Sequence, residues 1–455
     1  MHSIFMAFFV QKPHVWTNKK RKKRNEQQKN KNKKRRMTKE KNNLDDDLVV
    51  TQILSRLPAK SLMRFKSVRK GWKSIIEKDS HFINLHRAHS QSRPPQLLTI
   101  ILDQQFRNIR RGHFDLLSAD LDFDGGDDVD SHVRGASIHC SATCVRAPSK
   151  FVDVVGLVRG LLCFVDLINF DVMVYNVTTR QAVTSWIRTS VSLKKPPFEE
   201  PVCQFGFDPD SGEYKVIFIW QVSSTSVRTR VSPCCEVLTV GVDASWRIIE
   251  DVPTLEVEGH KSTYANGSIY WMSELVDPLV EFNVGSEKFR TIRVPKFIDW
   301  GLPTGYLMEL DGCLTMVPLS SLGARKQKLW KFNDHNKKRS NGTSNTTRVS
   351  RSERKKWTAV SFRIPRYICP WATVIHQIPG KDQIILESYS LNQELERHVR
   401  YARFYSYNRI NKTFSKFKIQ GIPSFSKCDR SRCKVFVEDL CPVAVEKSKT
   451  SEEPI

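Results

Sequence analysis

A chain of 455 residues with 40% apolar content is long enough for two or three domains with a sizeable core. Its formal charge of +25 suggests a nucleic-acid partner, yet residues 17–41 hold fourteen Lys/Arg against Glu26 and Glu40, and residues 325–356 hold twelve against Asp334 and Glu353. These two polar, low-complexity runs carry +12 and +10 and leave +3 for the rest, so the folded body is expected to be nearly neutral and nucleic-acid binding is confined to weak, non-specific contacts of the runs.

The opening "MHSIFMAFFV" is apolar for only ten residues, whereas a membrane span needs about twenty. It lacks a basic flank and a small-residue cleavage site, and no later stretch reaches span length, so no membrane partner is expected. Residues 1–43 are expected to be a disordered basic tail. Met37 opens "MTKEKNNLDDD", which leaves the first 36 residues open as an upstream extension. "KKRKKR" (Lys19 to Arg24) and "KNKKRR" (Lys31 to Arg36) have the composition of a nuclear address, so the expected location is nucleus and/or cytoplasm. Eleven scattered cysteines without a C-x-x-C pair indicate reduced thiols rather than a disulfide framework or a zinc site.

Residues 44–90 show helical spacing. Asp45, Asp46 and Asp47 offer an N-cap and a negative first turn. Val49, Val50, Ile53, Leu54 and Leu57 follow on one face, and Pro58 separates this helix from a second with Leu62, Met63 and Phe65. A third carries Val68, Trp72, Ile75 and Ile76. So small a unit buries too little surface alone and needs a partner surface.

"ILSRLPAKSLMRFKSVRKGWKSII" closely resembles the F-box, with its "RLP" junction, "KSL" start of helix two, "RF" pair and V-x-K-x-W. Two departures stand out: Leu44-Asp45 replaces the usual Leu-Pro, and the spacing from Leu48 to Ile53 is one residue too long. Either Val49 takes the usual leucine's place or the first turn bulges. The resemblance implies a Skp-type adaptor as partner, and through it the cullin and RING subunits of an SCF-type ubiquitin ligase. By analogy Val50, Leu54, Leu57, Pro58, Leu62 and Val68 face the adaptor, while Ile53, Phe65, Trp72 and Ile76 hold the helices together.

From residue 93 the period changes to short runs rich in Val, Ile, Phe, Tyr and Trp, such as "YKVIFIWQV" and "GSIYWMSE", which read as strands. An aromatic-Asn turn recurs at Tyr175-Asn176, Phe282-Asn283, Phe332-Asn333 and Tyr407-Asn408, with a looser copy at Val242-Asp243. Setting aside a roughly 24-residue basic insertion at about 334–356, the period is about 50 residues, the length of a four-stranded propeller blade. The fold class expected is therefore α plus all-β: a three-helix F-box at 44–90, then a β-propeller of roughly six four-stranded blades at 93–425, with 426–455 as a C-terminal tail.

"GLVRGLLCF", "VYNVTTRQ", "FGFDPDSGEYKVIFI", "CEVLTVGVDASWR" and "LVEFNVGSEKFRTIRVP", in this order, resemble the plant F-box-associated β-propeller domain, type 3-like. Its pattern positions here, among them Gly160, Asn176, Gly206, Asp208 and Trp271, read as turn and core residues. The resemblance implies a non-catalytic substrate receptor whose propeller binds a protein target. No phosphate-binding loop, nucleophile elbow or H-E-x-x-H is present, and no catalytic, metal or cofactor-binding residue is assigned. The alternatives are a nucleic-acid-binding protein that uses its basic runs and a glycan-binding propeller.

Overall fold

The computed structural model describes residues 28–29, 48–102, 114–121, 139–141, 152–190, 201–221, 233–249, 251–254, 257–273, 277–298, 305–318, 324–334, 356–368, 373–390, 399–417, 425–426 and 432–440. Asp45–Asp47, the basic runs of the N-terminal tail and residues 335–355 lie outside that set. The chain forms two compact units, 1–57 and 58–455.

In the first unit the expected helix is a π-helical turn, Val49–Ile53, followed by one 3-10 turn, Leu54–Arg56. The Leu54 N–H reaches back to the carbonyls of Val49 and Val50. The wide turn absorbs the extra residue between Leu48 and Ile53, so the first turn bulges. It also rotates the following side chains. Leu54 is 1% exposed, whereas Ile53 is 54% exposed.

The second unit opens with three helices: α1 (Ala59–Phe65), α2 (Lys70–Lys78) and α3 (Ser80–Ser90). Pro58 stands just before α1, where a missing N–H costs nothing. Asp79 caps α3 by accepting the Phe82 N–H at 2.9 Å. Leu62, Ile76, Phe82 and Ile83 are buried. The helix at Ser80–Ser90 was not read from the sequence.

Beyond the helices the described strands form antiparallel sheets. The first joins β1 (Gln96–Leu102), β2 (Phe114–Asp120) and β3 (His139–Ser141). The second holds β4 (Val152–Val158), β5 (Leu161–Asp166), β6 (Val172–Asn176) and β7 (Gln181–Ala182). Then come β8 (Val202–Phe207), β9 (Tyr214–Trp220), β10 (Cys234–Thr239) and β11 (Arg247–Ile249), and β12 (Val257–Ala265), β13 (Ser268–Ser273), β14 (Leu279–Asn283) and β15 (Lys288–Ile292). The fifth sheet is β16 (Tyr306–Leu310), β17 (Cys313–Val317), β18 (Lys326–Phe332) and β19 (Trp357–Arg363). The last holds β20 (Thr373–Gln377), β21 (Gln383–Ser390), β22 (Val399–Asn408) and β23 (Thr413–Phe417), and β24 (Phe425–Ser426) pairs with β22 as a fifth strand.

Finally β25 (Arg432–Phe436) returns to the first sheet and pairs with β1, Gln96 opposite Phe436. The C-terminal strand thereby closes the propeller on its first strand. Arg432–Phe436, within the expected C-terminal tail, is thus a strand of the propeller. Five of the sheets have four strands and one has five, against the roughly six four-stranded blades expected.

The core lies between sheets, as a propeller requires. One cluster joins Val174 and Leu161 to Phe205 and Phe218. Others join Ile217 to Trp271 and Phe282, Met272 to Met316, and Leu329 to Leu386 and Tyr405. A fifth ties Ile100 and Phe436 to Phe164. Strands sandwiched in this way, such as β5, β9 and β13, are buried along their whole length, which is why they read as continuous apolar runs.

Three of the four aromatic-Asn turns share one geometry. Asn176, Asn283 and Asn408 each end the third strand of a sheet and accept a backbone N–H three residues on, from Thr179, Ser286 and Asn411, at 2.8–3.1 Å. The fourth residue on is left-handed each time: Arg180 (φ 58°), Glu287 (55°) and Lys412 (57°). Asp208 makes the same turn from a first strand, with Gly212 at φ 77°. An Asx side chain substitutes for a backbone acceptor and holds the chain reversal. At Gly206 the reason for glycine is space, since a Cβ there would lie 2.6 Å from Val284.

β18 and β19 form the hairpin expected to flank the insertion, with Leu329 opposite Val360 and Phe332 opposite Trp357. The Asn333 N–H donates to the Lys356 carbonyl at 2.7 Å. The basic run 325–356 is accordingly not one low-complexity segment. Lys326, Lys328 and Lys331 are strand residues.

Candidate functional site

Within 58–90, Pro58 and Val68 are exposed, Val68 at 64%. Val68 lies in the turn after α1, where its N–H bonds the Phe65 carbonyl, and not on the third helix as the spacing suggested. Leu62, expected to face an adaptor, is fully buried, and so is Leu54 in the first unit. Val50 and Leu57 are half-buried. Of the expected internal residues, Phe65 and Trp72 meet edge to face at 5.8 Å and Ile76 is buried, but Ile53 is open. Among the described residues the exposed apolar side chains are therefore a different subset from the one a regular helical period selects. The π-helical turn and the early end of α1 rotate or displace the side chains that a regular 3.6 period assigns.

The segment after β25 fastens the helices to the propeller. Glu438 Oε2 accepts the Ala59 N–H, capping α1 at 3.1 Å, and accepts Arg93 Nη1 at 2.8 Å. Asp439 takes both forks of Arg87 on α3, Nε at 2.7 Å and Nη2 at 3.1 Å. Its own N–H donates to Thr178 Oγ1 at 2.9 Å, and Asn176 Nδ2 reaches the carbonyls of Asp439 and Leu440. One short segment thus holds two helices and the β6–β7 turn together. Neither acid had been picked out in the sequence, because the partners lie some 350 positions away.

Through the middle of the propeller runs a channel of about 630 Å³. Val155, Gln204, Ser262, Glu309, His376 and Lys434 line it, one from each of β4, β8, β12, β16, β20 and β25. Gln204 donates to Ser262 Oγ and to the Gly259 carbonyl. His376 Nε2 lies 2.8 Å from Glu387. Glu309 is pushed up to about 7 by the channel walls, which strip it of bulk water, with Arg159 opposing and Asp311 adding to the rise. At the channel mouth Arg409 clamps Asp311 through two nitrogens, at 2.6 and 2.8 Å.

Between neighbouring sheets Glu287 accepts Lys215 Nζ at 2.7 Å and both terminal nitrogens of Arg247 at 2.8 Å. Arg247's bonds, with Lys215 helping and burial opposing, hold this carboxyl down at about 2. Buried Glu281 accepts Tyr270 Oη and Arg290, and Arg290 continues to Asp334. Asp334 therefore belongs to the fold and not to the insertion. These clusters tie turns to strands.

Cys163, Cys203, Cys234, Cys235 and Cys313 are free thiols, and burial pushes Cys234 up to about 11 and Cys163 further, which makes these two poor nucleophiles. Among the described residues no group of three His, Cys, Asp or Glu could hold a metal ion, and no helix is long and apolar enough to cross a membrane.

Helices α1–α3 thus form a short helical module fastened to a β-propeller. The family model for the F-box associated beta propeller domain matches residues 128–440, and the chain belongs to that family. It is similar to F-box proteins of Arabidopsis thaliana: one is 30% identical over 256 residues, 55% of this chain and 63% of the relative, and another is 29% identical over 306 residues, 64% of this chain and 86% of the relative. The chain thus spans under two thirds of the first relative's length. Among solved structures it is similar to a chain of a nidogen/laminin complex, 9% identical with TM-score 0.37 over 75% of this chain and 99% of the other, a likeness too low to add to the fold.

Proposed function

We propose that this chain is the substrate-recognition subunit of an SCF-type ubiquitin ligase: the F-box segment binds a Skp-type adaptor, which brings cullin and RING subunits, and the propeller binds a protein target. The sheets act as one closed ring of six blades, consistent with the six inner strands around one channel. The subunit itself is non-catalytic.

The observation that carries this reading is the exposure of Ile53, Pro58 and Val68 within the F-box-like stretch. Apolar anchors left open in a short helical module have the character of a helix-docking surface, where a few residues supply most of the affinity. The half-buried Val50 and Leu57 extend this set. Family membership supplies the partner class.

Co-expression of the full chain with a Skp-type adaptor tests the proposal. Stoichiometric co-elution on gel filtration is expected. Elution of the two proteins apart, with the propeller folded, would remove the ligase reading. Location in nucleus and/or cytoplasm is part of the same proposal, and a fluorescent fusion starting at Met37, compared with the full chain, tests the address role of Lys19–Arg24.

A further inference from the structure

Two connections between sheets repeat one another. After β15 the chain reads Arg293-Val294-Pro295-Lys296-Phe297-Ile298, and after β19 it reads Arg363-Ile364-Pro365-Arg366-Tyr367-Ile368. In each, the isoleucine N–H bonds the proline carbonyl, at 2.9 and 3.2 Å, and the isoleucine is buried. In each, the basic residue and the aromatic between them stand exposed: Lys296 with Phe297, and Arg366 with Tyr367.

The two turns are joined by the outer face of β18. Lys326, Lys328 and Trp330 alternate onto one side of this strand, while Gln327 and Leu329 are buried on the other. Phe297 packs on Trp330 at 5.1 Å, and Lys328 lies over the same indole at 4.3 Å. Lys326 stands directly opposite Arg363, whose chain continues to Arg366 and Tyr367. Arg325 Nη1 donates to the Pro365 carbonyl at 2.8 Å and fixes that turn. A continuous stripe results, running from Lys296 across Lys328 and Lys326 to Arg363 and Arg366.

Like charges directly opposite on paired strands are destabilising. Among the described residues no carboxylate forms an ion pair with Arg293, Lys296, Lys326, Arg363 or Arg366. Asp277 is turned to the Val294 N–H, which it accepts at 2.9 Å. Lys296, Lys326, Arg363 and Arg366 thus stand beside aromatic edges with no carboxylate partner among the described residues.

We propose that this stripe docks a carboxylate-rich peptide segment of the target protein, a proposal that rests on the substrate-receptor reading above. Charge complementarity selects an acidic partner. The rings select a peptide over single-stranded nucleic acid, because base stacking needs an open ring face. Trp330 has Lys328 over its ring and Phe297 against it, and Tyr367 leans on Tyr405 at 5.8 Å. Such partly covered rings offer edges and aliphatic contact beside the cations, which suits Asp and Glu side chains on an extended chain.

The test uses the full chain and fluorescence anisotropy with a short fluorescein-labelled Glu-rich peptide, with duplex DNA of matched charge measured in parallel. Lys326→Glu with Arg363→Glu keeps one like-charge pair in place of another, so the melting temperature should hold. Lys326→Gln with Arg363→Gln removes the repulsion and checks folding independently. Both pairs should weaken peptide binding at least tenfold, about 1.4 kcal/mol. Lys33→Glu with Lys34→Glu, in the N-terminal basic run, should leave it within twofold. Unchanged affinity in the strand pairs, or equal loss from the tail pair, would overturn the proposal. So would DNA bound more tightly than peptide through Lys326 and Arg363. Adaptor co-elution, followed on the same samples, separates the two claims. Loss of peptide binding with adaptor binding intact concerns this stripe alone, whereas a wild-type chain that ignores the adaptor sinks the receptor reading whatever the peptide does.

Discussion

Arg87 on α3 grips Asp439 with two nitrogens, across 352 positions of sequence, with the aspartate side chain only 6% exposed. A bidentate guanidinium–carboxylate contact fixes orientation as well as distance. It helps to join helices α1–α3 to the propeller within one compact unit.

Removing one partner of so enclosed a pair leaves a charge without compensation. Arg87→Ala should cost about 2–4 kcal/mol. Asp439→Ala in the same background should add little, giving a coupling of at least about 1 kcal/mol in a double-mutant cycle read by thermal denaturation. Additive losses would show that the contact does not fasten the helices.

Glu287 predicts a pH dependence. Its carboxyl sits at about 2, below the ordinary 4.5, because Arg247 and then Lys215 stabilise the charged form. A lowered carboxyl contributes stability that is full above the ordinary value and is lost as pH falls towards 2. Glu287→Gln should therefore lower the melting temperature at pH 7 and flatten the acid limb of the stability curve between about pH 4.5 and 2. Parallel acid limbs in variant and wild type would contradict the clamp.

Glu309 should behave in the opposite sense. Its carboxyl is raised to about 7, so the stability it allows is full below about 4.5 and declines as pH rises through about 7. Glu309→Gln should raise the melting temperature at pH 8 and leave it nearly unchanged at pH 4. A variant less stable than wild type at pH 8 would mean that the charged form is held by partners and not merely hemmed in by the channel wall.

The insertion should be separable from the fold if it is cut in the right place. Asn333 and Lys356 already close the hairpin, so replacing residues 335–355 with Asn-Gly should keep the melting temperature within a few degrees, since loop-closure entropy changes slowly with length. Asp334→Ala should destabilise more, because Arg290, which also bonds buried Glu281, loses one of its two carboxylate partners. A large fall on deleting 335–355 would show that the segment packs on the propeller.

Local signals were legible in the sequence, and distant pairings were not. The aromatic-Asn copies mark third-strand ends because Asn shapes its own turn, and Phe332 with Trp357 marks a hairpin because both strands flank it. "RCKVF" at 432–436 gave no such sign. It is short, begins and centres on cations, and earns its place only by pairing with Gln96–Ile100 at the other end of the domain. The same limit applied to Glu438 and Asp439. In the helical module the residue types were legible but the faces were not. At the π turn Leu54 is buried and Ile53 exposed, the opposite of the burial expected, and a periodicity argument has no means of locating such a turn.

The central claim is that the F-box segment docks a Skp-type adaptor through its open apolar residues. The most direct measurement is the adaptor's dissociation constant by titration calorimetry against the full chain, with Val68→Asp and Ile53→Asp as variants. Both side chains are more than half exposed, so neither change should shift the melting temperature by more than a degree or two. Each should weaken the adaptor at least tenfold, about 1.4 kcal/mol, by placing a charge in a desolvated contact. Wild-type affinity in both folded variants, or no adaptor binding by the wild-type chain, would contradict the account.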